Sequence, residues 1–418
     1  MKSGKGLLIK KIVSVFLTFC VCAGVFSGCN SKKQPEEISL SVWCANNDIE
    51  TLSQIVEDFK EHYKDEADFS ITISAEEEDT CKGTILANPK GAADVFSFAA
   101  DQLNSLYNAG ALLEITENTD EIIEANGSET SGAVLSASRN GKLYAYPATA
   151  SNGYFLYYNS KYFSEEDVKS FDKILEIAAE NDKKVTMDLA SGWYIYSFFK
   201  GAGLDVSQTD DGKTNVCNWN STDGIYSGAD VAEAMLKIAS HKGFSAVDDE
   251  LLKTGAKDGS IIAGISGTWL STYMKDAFGD GYAAAKLPEY TIKGNSVQMH
   301  SFAGYKLIGV SAYTKTPKWS QRLAEWITNE KSQLMRFKER GECPSNIKAA
   351  AMPEVKASVA ISALSEQSRF GHIQDVADTF WTPTYVFGTI IAAKNADNVD
   401  LQKLLDEMVK GITEQPKS

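Results

Sequence analysis

Apolar residues fall in two rhythms along this 418-residue chain. Ile38–Val42 alternates and runs into Trp43-Cys44-Ala45, which predicts a first strand, and Asn46-Asn47-Asp48 predicts the turn after it. Ile49–Tyr63 then places Leu52, Ile55, Val56 and Phe59 at helical spacing. Phe69–Ser74 and Asp94–Phe98 predict two more strands, the second followed by a helix over Leu103–Ala109 that Gly110 closes. Strand, helix, strand, helix is the rhythm of a parallel sheet.

The pattern repeats further on. Tyr154–Tyr158 and Lys184–Met187 predict strands, and Phe171–Ala179 and Asp230–Ser240 predict helices. The short apolar run Ile261, Ile262, Ala263 and Ile265 predicts a strand buried on both faces. Ser266-Gly267-Thr268 interrupts it, and Ser266 or Thr268 is expected to cap the helix that follows. Trp269 falls at that strand-to-helix junction, where open α/β sheets present ligand-facing residues. Phe302–Val310 predicts a strand. Pro317–Thr328 predicts a helix led by its proline, Ser332–Lys338 continues it, and Leu401–Ile412 predicts a closing amphipathic helix. Neither an internal repeat nor a heptad array is evident.

The start of the chain follows a different pattern. Lys2, Lys5, Lys10 and Lys11 precede an apolar run from Ile12 to Phe26 that ends in Val25-Phe26-Ser27-Gly28-Cys29. A basic segment, a short apolar segment and small residues before a cut describe an export signal over residues 1–28. The Val-Phe-Ser-Gly-Cys ending resembles a bacterial lipobox, which implies cleavage before Cys29 and lipid on that cysteine. Residues 29–37 are expected to be the lipidated cysteine and a polar tether. More than one acyl chain would make anchoring at the extracellular face of the cell membrane stable.

Length and composition suit two globular domains. With 56 acids against 41 bases, the net charge of −15 argues against a nucleic-acid partner. Cys44, Cys81, Cys217 and Cys343 are scattered singly, so free thiols are expected, with Cys44–Cys81 the pairing to consider. The four histidines show no metal-ligand spacing, and no nucleophile elbow or phosphate-binding glycine loop occurs. Tyr154, Tyr157 and Tyr158 on one strand are expected as packing residues rather than metal ligands. No enzyme, no cofactor and no metal site is expected. Paired acids such as Glu76-Glu77-Glu78-Asp79 keep a glycoside hydrolase open as an alternative, although a solvated acidic loop accounts for them.

Five stretches in sequence order resemble the extracellular solute-binding proteins of ABC sugar importers, the maltose/maltodextrin-binding family in particular. They are D-V-F-S-F-A-A-D with G-A-L-L-E-I (residues 94–101 and 110–115), G-K-L-Y-A-Y-P (141–147), the G-x-W at Gly267–Trp269 running to Leu287-Pro288, the region Ser332–Ser345, and Phe380-Trp381. The resemblance covers nearly all of the chain beyond the leader.

It implies an α/β, two-lobe periplasmic-binding-protein-like fold of type II, each lobe a mostly parallel sheet flanked by helices. The crossings near Pro147, Pro288 and Pro344 divide the chain into 38–149 plus 290–345 and 150–289 plus 346–418. It also implies a monomeric receptor that holds an oligosaccharide, maltose or maltodextrin foremost, between the lobes and delivers it to a membrane permease. An indole suits such a ligand because a pyranose has an apolar C–H face and hydroxyls at its rim. Trp269, Trp381 and Trp193 are the stacking candidates, with core packing the alternative for Trp193. Asp101, Asn47 and Asp48 are the candidates for hydroxyl contacts, and Phe98 either lines the cleft or packs in the core. Tyr385 completes the set. Gln102 and Ser151 depart from the family pattern, so other oligosaccharides, such as xylan, mannan or fructan fragments, and a polyamine or amino acid remain alternatives.

Overall fold

The computed structural model describes residues 36–209 and 213–415. The expected export signal, Cys29 and the expected tether up to residue 35 lie outside the described residues. The last tether residues, Glu36 and Glu37, belong instead to the first strand, Glu36–Cys44, which pairs in parallel with Ala67–Ala75 from Glu36↔Ala67 to Cys44↔Ala75. Its inward residues Ile38, Leu40, Val42 and Cys44 are buried, as alternation requires. The helix between these strands, Ile49–Tyr63, buries Leu52, Ile55, Val56 and Phe59.

The strands join one ten-stranded sheet. Its order is Phe244–Ser245, Lys184–Thr186, Ile261–Gly267, Ala145–Asn159, Ser301–Val310, Val95–Ala99, Glu36–Cys44 and Ala67–Ala75. Tyr282–Ala285 pairs with Ala145–Asn159, and Gly371–Ile373 pairs with Ser301–Val310. At each end the outer strands run parallel, whereas Ala145–Asn159 and Ser301–Val310 lie antiparallel in the middle. The ends carry separate cores. One gathers Val42, Phe59, Phe96, Phe98 and Leu323; the other gathers Leu156, Phe171, Ile195, Trp219, Met235 and Leu405.

The two central strands run through both cores. Ala145 and Tyr146 pack in the first and Tyr154, Leu156 and Tyr158 in the second, while Leu307 and Phe302 do the same on the partner strand. At about 3.3 Å per residue, the 15 residues of Ala145–Asn159 span roughly 50 Å, enough to link two lobes. The register between these strands shifts between Gly304 and Leu307, where the chain passes from one core to the other. This is a two-lobe α/β fold. The hairpin Glu289–Ile292 with Asn295–Gln298, which the position of Pro288 assigns to the first lobe, buries Tyr290 and Ile292 in the second core. The passage back to the first core is made within Ser301–Val310.

Two local expectations need correction. Neither Ser266 nor Thr268 caps the helix after the buried strand Ile261–Gly267; a 3-10 turn, Thr268–Leu270, intervenes before Ser271–Phe278. Ser266 is diverted to Asp249, and the Thr268 hydroxyl is buried without a partner among the described residues. The helix from Pro317 ends at Thr328, and a new one, Glu330–Arg340, starts with the Asn329 side chain accepting from the Ser332 N–H. Cys44 and Cys81 are both buried and free, so the possible pairing between them is not formed. Tyr154, Tyr157 and Tyr158 are packing residues, at most 5% exposed.

Candidate functional site

The turns after the strands of both lobes converge on a cavity of about 520 Å³. Asp79, Lys82, Asp101 and Gln102 approach from the first lobe, Ser191, Trp193, Trp269 and Trp381 from the second, and Asn152 from the central strand. Asp101, Trp193 and Trp269 are each the second residue of an element, Ala100–Gln102, Gly192–Gly201 and Thr268–Leu270, and Trp381 is the first of Trp381–Ala392, so these cavity-lining side chains sit at element starts.

Trp269 is the most firmly held of the three indoles. Its Nε1–H donates to Asp249 Oδ2 at 2.7 Å, and the Ser266 hydroxyl donates to Asp249 Oδ1 at 2.8 Å. Asp249 is the first residue of the helix Asp249–Asp258, which Asp248 caps. Burial pushes the Asp249 carboxyl up and these two donors oppose the shift. At Gly267 a side chain would collide with the Trp269 ring, which explains the glycine two residues before the indole. Trp193 is the second residue of the helix Gly192–Gly201 and stacks on Phe302, centroids 5.3 Å apart at 30°. It therefore serves both core and cavity. Trp381 starts the helix Trp381–Ala392 with its ring edge-on to Phe380 at 5.0 Å.

Asp101 lies in the 3-10 turn Ala100–Gln102. Its Oδ1 is buried and has no hydrogen-bond donor among the described residues. Burial raises its carboxyl to about 6, against the attraction of Lys82. An acceptor in that state is open to a donor from outside the described residues. Gln102 is a buried strut: Nε2 donates to the carbonyls of Glu78 and Asp79 at 2.7 and 2.9 Å, and Oε1 accepts from the Lys82 N–H at 3.1 Å. It fixes the loop over Glu78 and Asp79 and the start of the helix Cys81–Ala87, from which Lys82 reaches Asp378 of the other lobe in an ion pair.

Four sequence candidates lie elsewhere. Phe98 is fully buried in the first core, its ring 5.9 Å from Phe96, because it points inward on the strand Val95–Ala99. Asp48 is only 5% exposed; its carboxylate is taken by Arg336 at 3.1 Å and Arg340 at 2.7 Å. Asn47 accepts from Arg340 Nη2 at 2.9 Å. Tyr385 lies one helical turn beyond Trp381 and is 59% exposed, outside the cavity lining. Conversely, Lys82, Asn152, Gln374 and Asp249 escaped the sequence reading. Lys82 sits in an ordinary polar stretch, Asn152 among tyrosines, and Asp249 twenty residues ahead of the ring it holds; none carries a motif.

Two lobes joined by long central strands, with a cavity between them that sets three indoles among polar side chains, define a ligand-binding protein of the two-lobe α/β kind. Comparison with known sequences narrows this. The profile described as bacterial extracellular solute-binding protein matches residues 54–363, and the chain belongs to that family. It is 27% identical over 339 residues to the galactooligosaccharide-binding protein of Bacillus subtilis (strain 168), covering 76% of each chain. To the maltodextrin-binding protein MdxE of the same organism it is 22% identical, covering 97% of this chain and 100% of that one. Among solved structures it resembles the maltodextrin-binding protein MalE1 from L. casei BL23 without ligand. That likeness has 23% identity and a TM-score of 0.74, and covers 90% of this chain and 99% of the other.

Proposed function

We propose that this protein is the receptor of an ABC-type importer and captures a neutral oligosaccharide between its lobes, with maltodextrin the leading ligand. The observation that carries the reading is the meeting of three indoles and the donor-less Asp101 carboxylate oxygen at one cavity. The rings offer flat apolar faces to C–H surfaces, and Asp101, Asn152 and Gln374 offer hydrogen bonds to hydroxyls. The likeness to MdxE supports a malto-oligosaccharide, and the likeness to the galactooligosaccharide-binding protein supports a galactosyl oligomer as the second reading. Neither relative is an enzyme by name, and a binding role without turnover follows from the same reading. The Val-Phe-Ser-Gly-Cys sequence supports export, cleavage before Cys29 and lipid anchoring of a monomer beside the permease. Residues 38–149 with the first-core part of 290–345, and 150–289 with 346–418, form the proposed lobes, and Ala145–Asn159 and Ser301–Val310 the hinge between them.

Calorimetric titration of residues 30–418 with maltose, maltotriose, maltotetraose, galactobiose, galactotriose and galactotetraose tests the ligand. Saturable binding of one series, without hydrolysis and lost in Trp269→Ala, is expected. Silence toward both series would overturn the oligosaccharide reading, and release of free sugar would overturn the non-catalytic one.

A further inference from the structure

Of the ion pairs among the described residues, Lys82 with Asp378 is the one that runs from a helix packed in the first core to a turn packed in the second. Lys82 is the second residue of the helix Cys81–Ala87, whose Cys81 and Ile85 are buried in the first core. Asp378 opens the 3-10 turn Asp378–Phe380, whose Phe380 is buried in the second. Lys82 belongs to the lining of the tryptophan cavity and Asp378 does not.

The two partners are anchored differently. Lys82 starts from a fixed point, since its backbone N–H donates to Gln102 Oε1 at 3.1 Å, and its side chain is 17% exposed. The Asp378 side chain is 66% exposed, and Lys82 is the partner of its carboxylate among the described residues. The Trp381 N–H donates to the Asp378 carbonyl and closes the turn, so the backbone that carries the indole is tied to Asp378 directly. The middle of the turn is fastened to the second lobe, where Thr379 Oγ1 donates to the Ile412 carbonyl at 2.8 Å and accepts from Asn215 Nδ2 at 2.9 Å. The Asp378 carboxylate is thus the turn's charged link to the first lobe. On that lobe, beyond its own burial, the Asp101 carboxyl feels the attraction of Lys82 and the repulsion of Asp378 and Asp79. One ammonium therefore serves both the wall that carries Asp101 and the turn that carries Trp381.

We propose that Lys82 is a positioning residue for the sugar site: through its ion pair with Asp378 it holds the turn that presents Trp381 to the lobe that presents Asp101. The inference rests on the oligosaccharide reading above. It adds that affinity for an uncharged sugar depends on a charge pair that acts through Trp381, one of whose members lies outside the cavity lining.

The test titrates residues 30–418 with maltotriose and galactotriose. It compares wild type, Lys82→Met, Lys82→Arg, Asp378→Asn and the double variant Lys82→Met with Asp378→Asn. A partly exposed ion pair is expected to shift binding about threefold. Affinity for the trisaccharide that binds should therefore fall by about that factor in Lys82→Met and in Asp378→Asn, fall no further in the double variant, and be largely kept in Lys82→Arg. Because the sugar carries no charge, wild-type affinity should weaken about threefold from about 20 mM to about 500 mM sodium chloride, and both single variants should lose that dependence. A loss in Lys82→Met without one in Asp378→Asn would make Lys82 a direct sugar contact and overturn the positioning role. Additive losses in the double variant, or a salt dependence unchanged in the single variants, would overturn it as well, with the receptor reading intact. If neither trisaccharide binds wild type, the receptor reading fails and this inference fails with it.

Discussion

Asp101→Asn should make the protein more stable and a worse receptor at once. The carboxyl is pushed from 3.8 to about 6 because its ionised form has lost water and gained no donor at Oδ1. A shift of about 2 units corresponds to roughly 3 kcal/mol of penalty on the charged form, an upper figure because Lys82 and solvent at the cavity mouth can relax it. The sign follows from proton binding. The folded carboxyl has the higher pKa, so the native state binds the proton more readily, and stability rises as pH falls from about 7 through 6 toward 4. Asparagine carries no charge and should show a gain of about 2 kcal/mol at pH 7 and almost none at pH 4. Urea unfolding of ligand-free wild type and variant at the two pH values reads this directly. Binding should move the other way. A hydrogen bond to a charged acceptor contributes about 1.5–3 kcal/mol, so sugar affinity in Asp101→Asn should fall roughly ten- to hundredfold. Wild-type affinity should also weaken below pH 6 as the acceptor is protonated. A variant that is equally destabilised at both pH values, or that binds sugar unimpaired, would refute the assignment of Asp101 as an acceptor held ready for ligand.

Three further outcomes are expected. Asp249→Leu strands the Trp269 N–H and should lower sugar affinity about tenfold, whereas Asp249→Asn, which keeps an acceptor for the indole, should restore most of it; equal loss in both would show that the carboxylate does more than hold the ring. Lys306→Met removes the cation shared by Glu78 and Glu342 and should destabilise by about 3 kcal/mol in urea, toward the low end for a broken buried pair because Arg340 still faces Glu342; adding Glu342→Gln should recover part of that loss. His300, whose Nδ1 lies 2.8 Å from His372 Nε2, is lowered to about 4 by burial, then His372 and Lys200, with Asp205 opposing. It stays neutral when folded, so its share of stability is present above about 6.5 and is lost as pH falls toward 4; His300→Gln should flatten that acid slope, and an unchanged slope would remove His300 as its source.

The parts of this fold that were legible in the sequence are those where one local rule decides. Alternation in Ile38–Val42, helical spacing in Ile49–Tyr63 and the closed apolar run at Ile261 each report burial on known faces, and the structure buries those residues. Trp193, Trp269 and Trp381 were legible as site candidates because element starts after strands and loops are few and an indole there is conspicuous. Polar candidates were harder, since a carboxylate at a turn reads the same whether water, a ligand or arginine answers it. Asp48 and Asp101 both sit in 3-10 turns after strands, yet Arg336 and Arg340 reach the first from nearly three hundred residues away and no donor among the described residues reaches Oδ1 of the second. Phe98 lies on the strand Val95–Ala99, whose first four residues are buried on both faces, so its ring packs beside Phe96 and only Ala99 at the strand end and the turn after it reach the cavity.

The charges that occupied Asn47 and Asp48 have a purpose of their own in the architecture. Asp48, Glu78 and Glu342 face Arg336, Arg340 and Lys306, three anions against three cations, in a chain of contacts from 2.7 to 3.4 Å. Replacing such a set with apolar side chains is often neutral for stability, so stability alone is a weak reason to keep it. Its placement gives a better one. Lys306 lies on the central strand Ser301–Val310 at the register shift, Glu78 belongs to the loop that Gln102 clamps and that carries Lys82 to the cavity, and Glu342 immediately follows the left-handed Gly341 that ends the helix Glu330–Arg340. Apolar packing would hold these segments together but would tolerate sliding, because dispersion is non-directional. Charged hydrogen bonds fix both distance and angle. The network thus holds the segment that carries Asp79 and Lys82 to the strand Ser301–Val310, which runs through both cores.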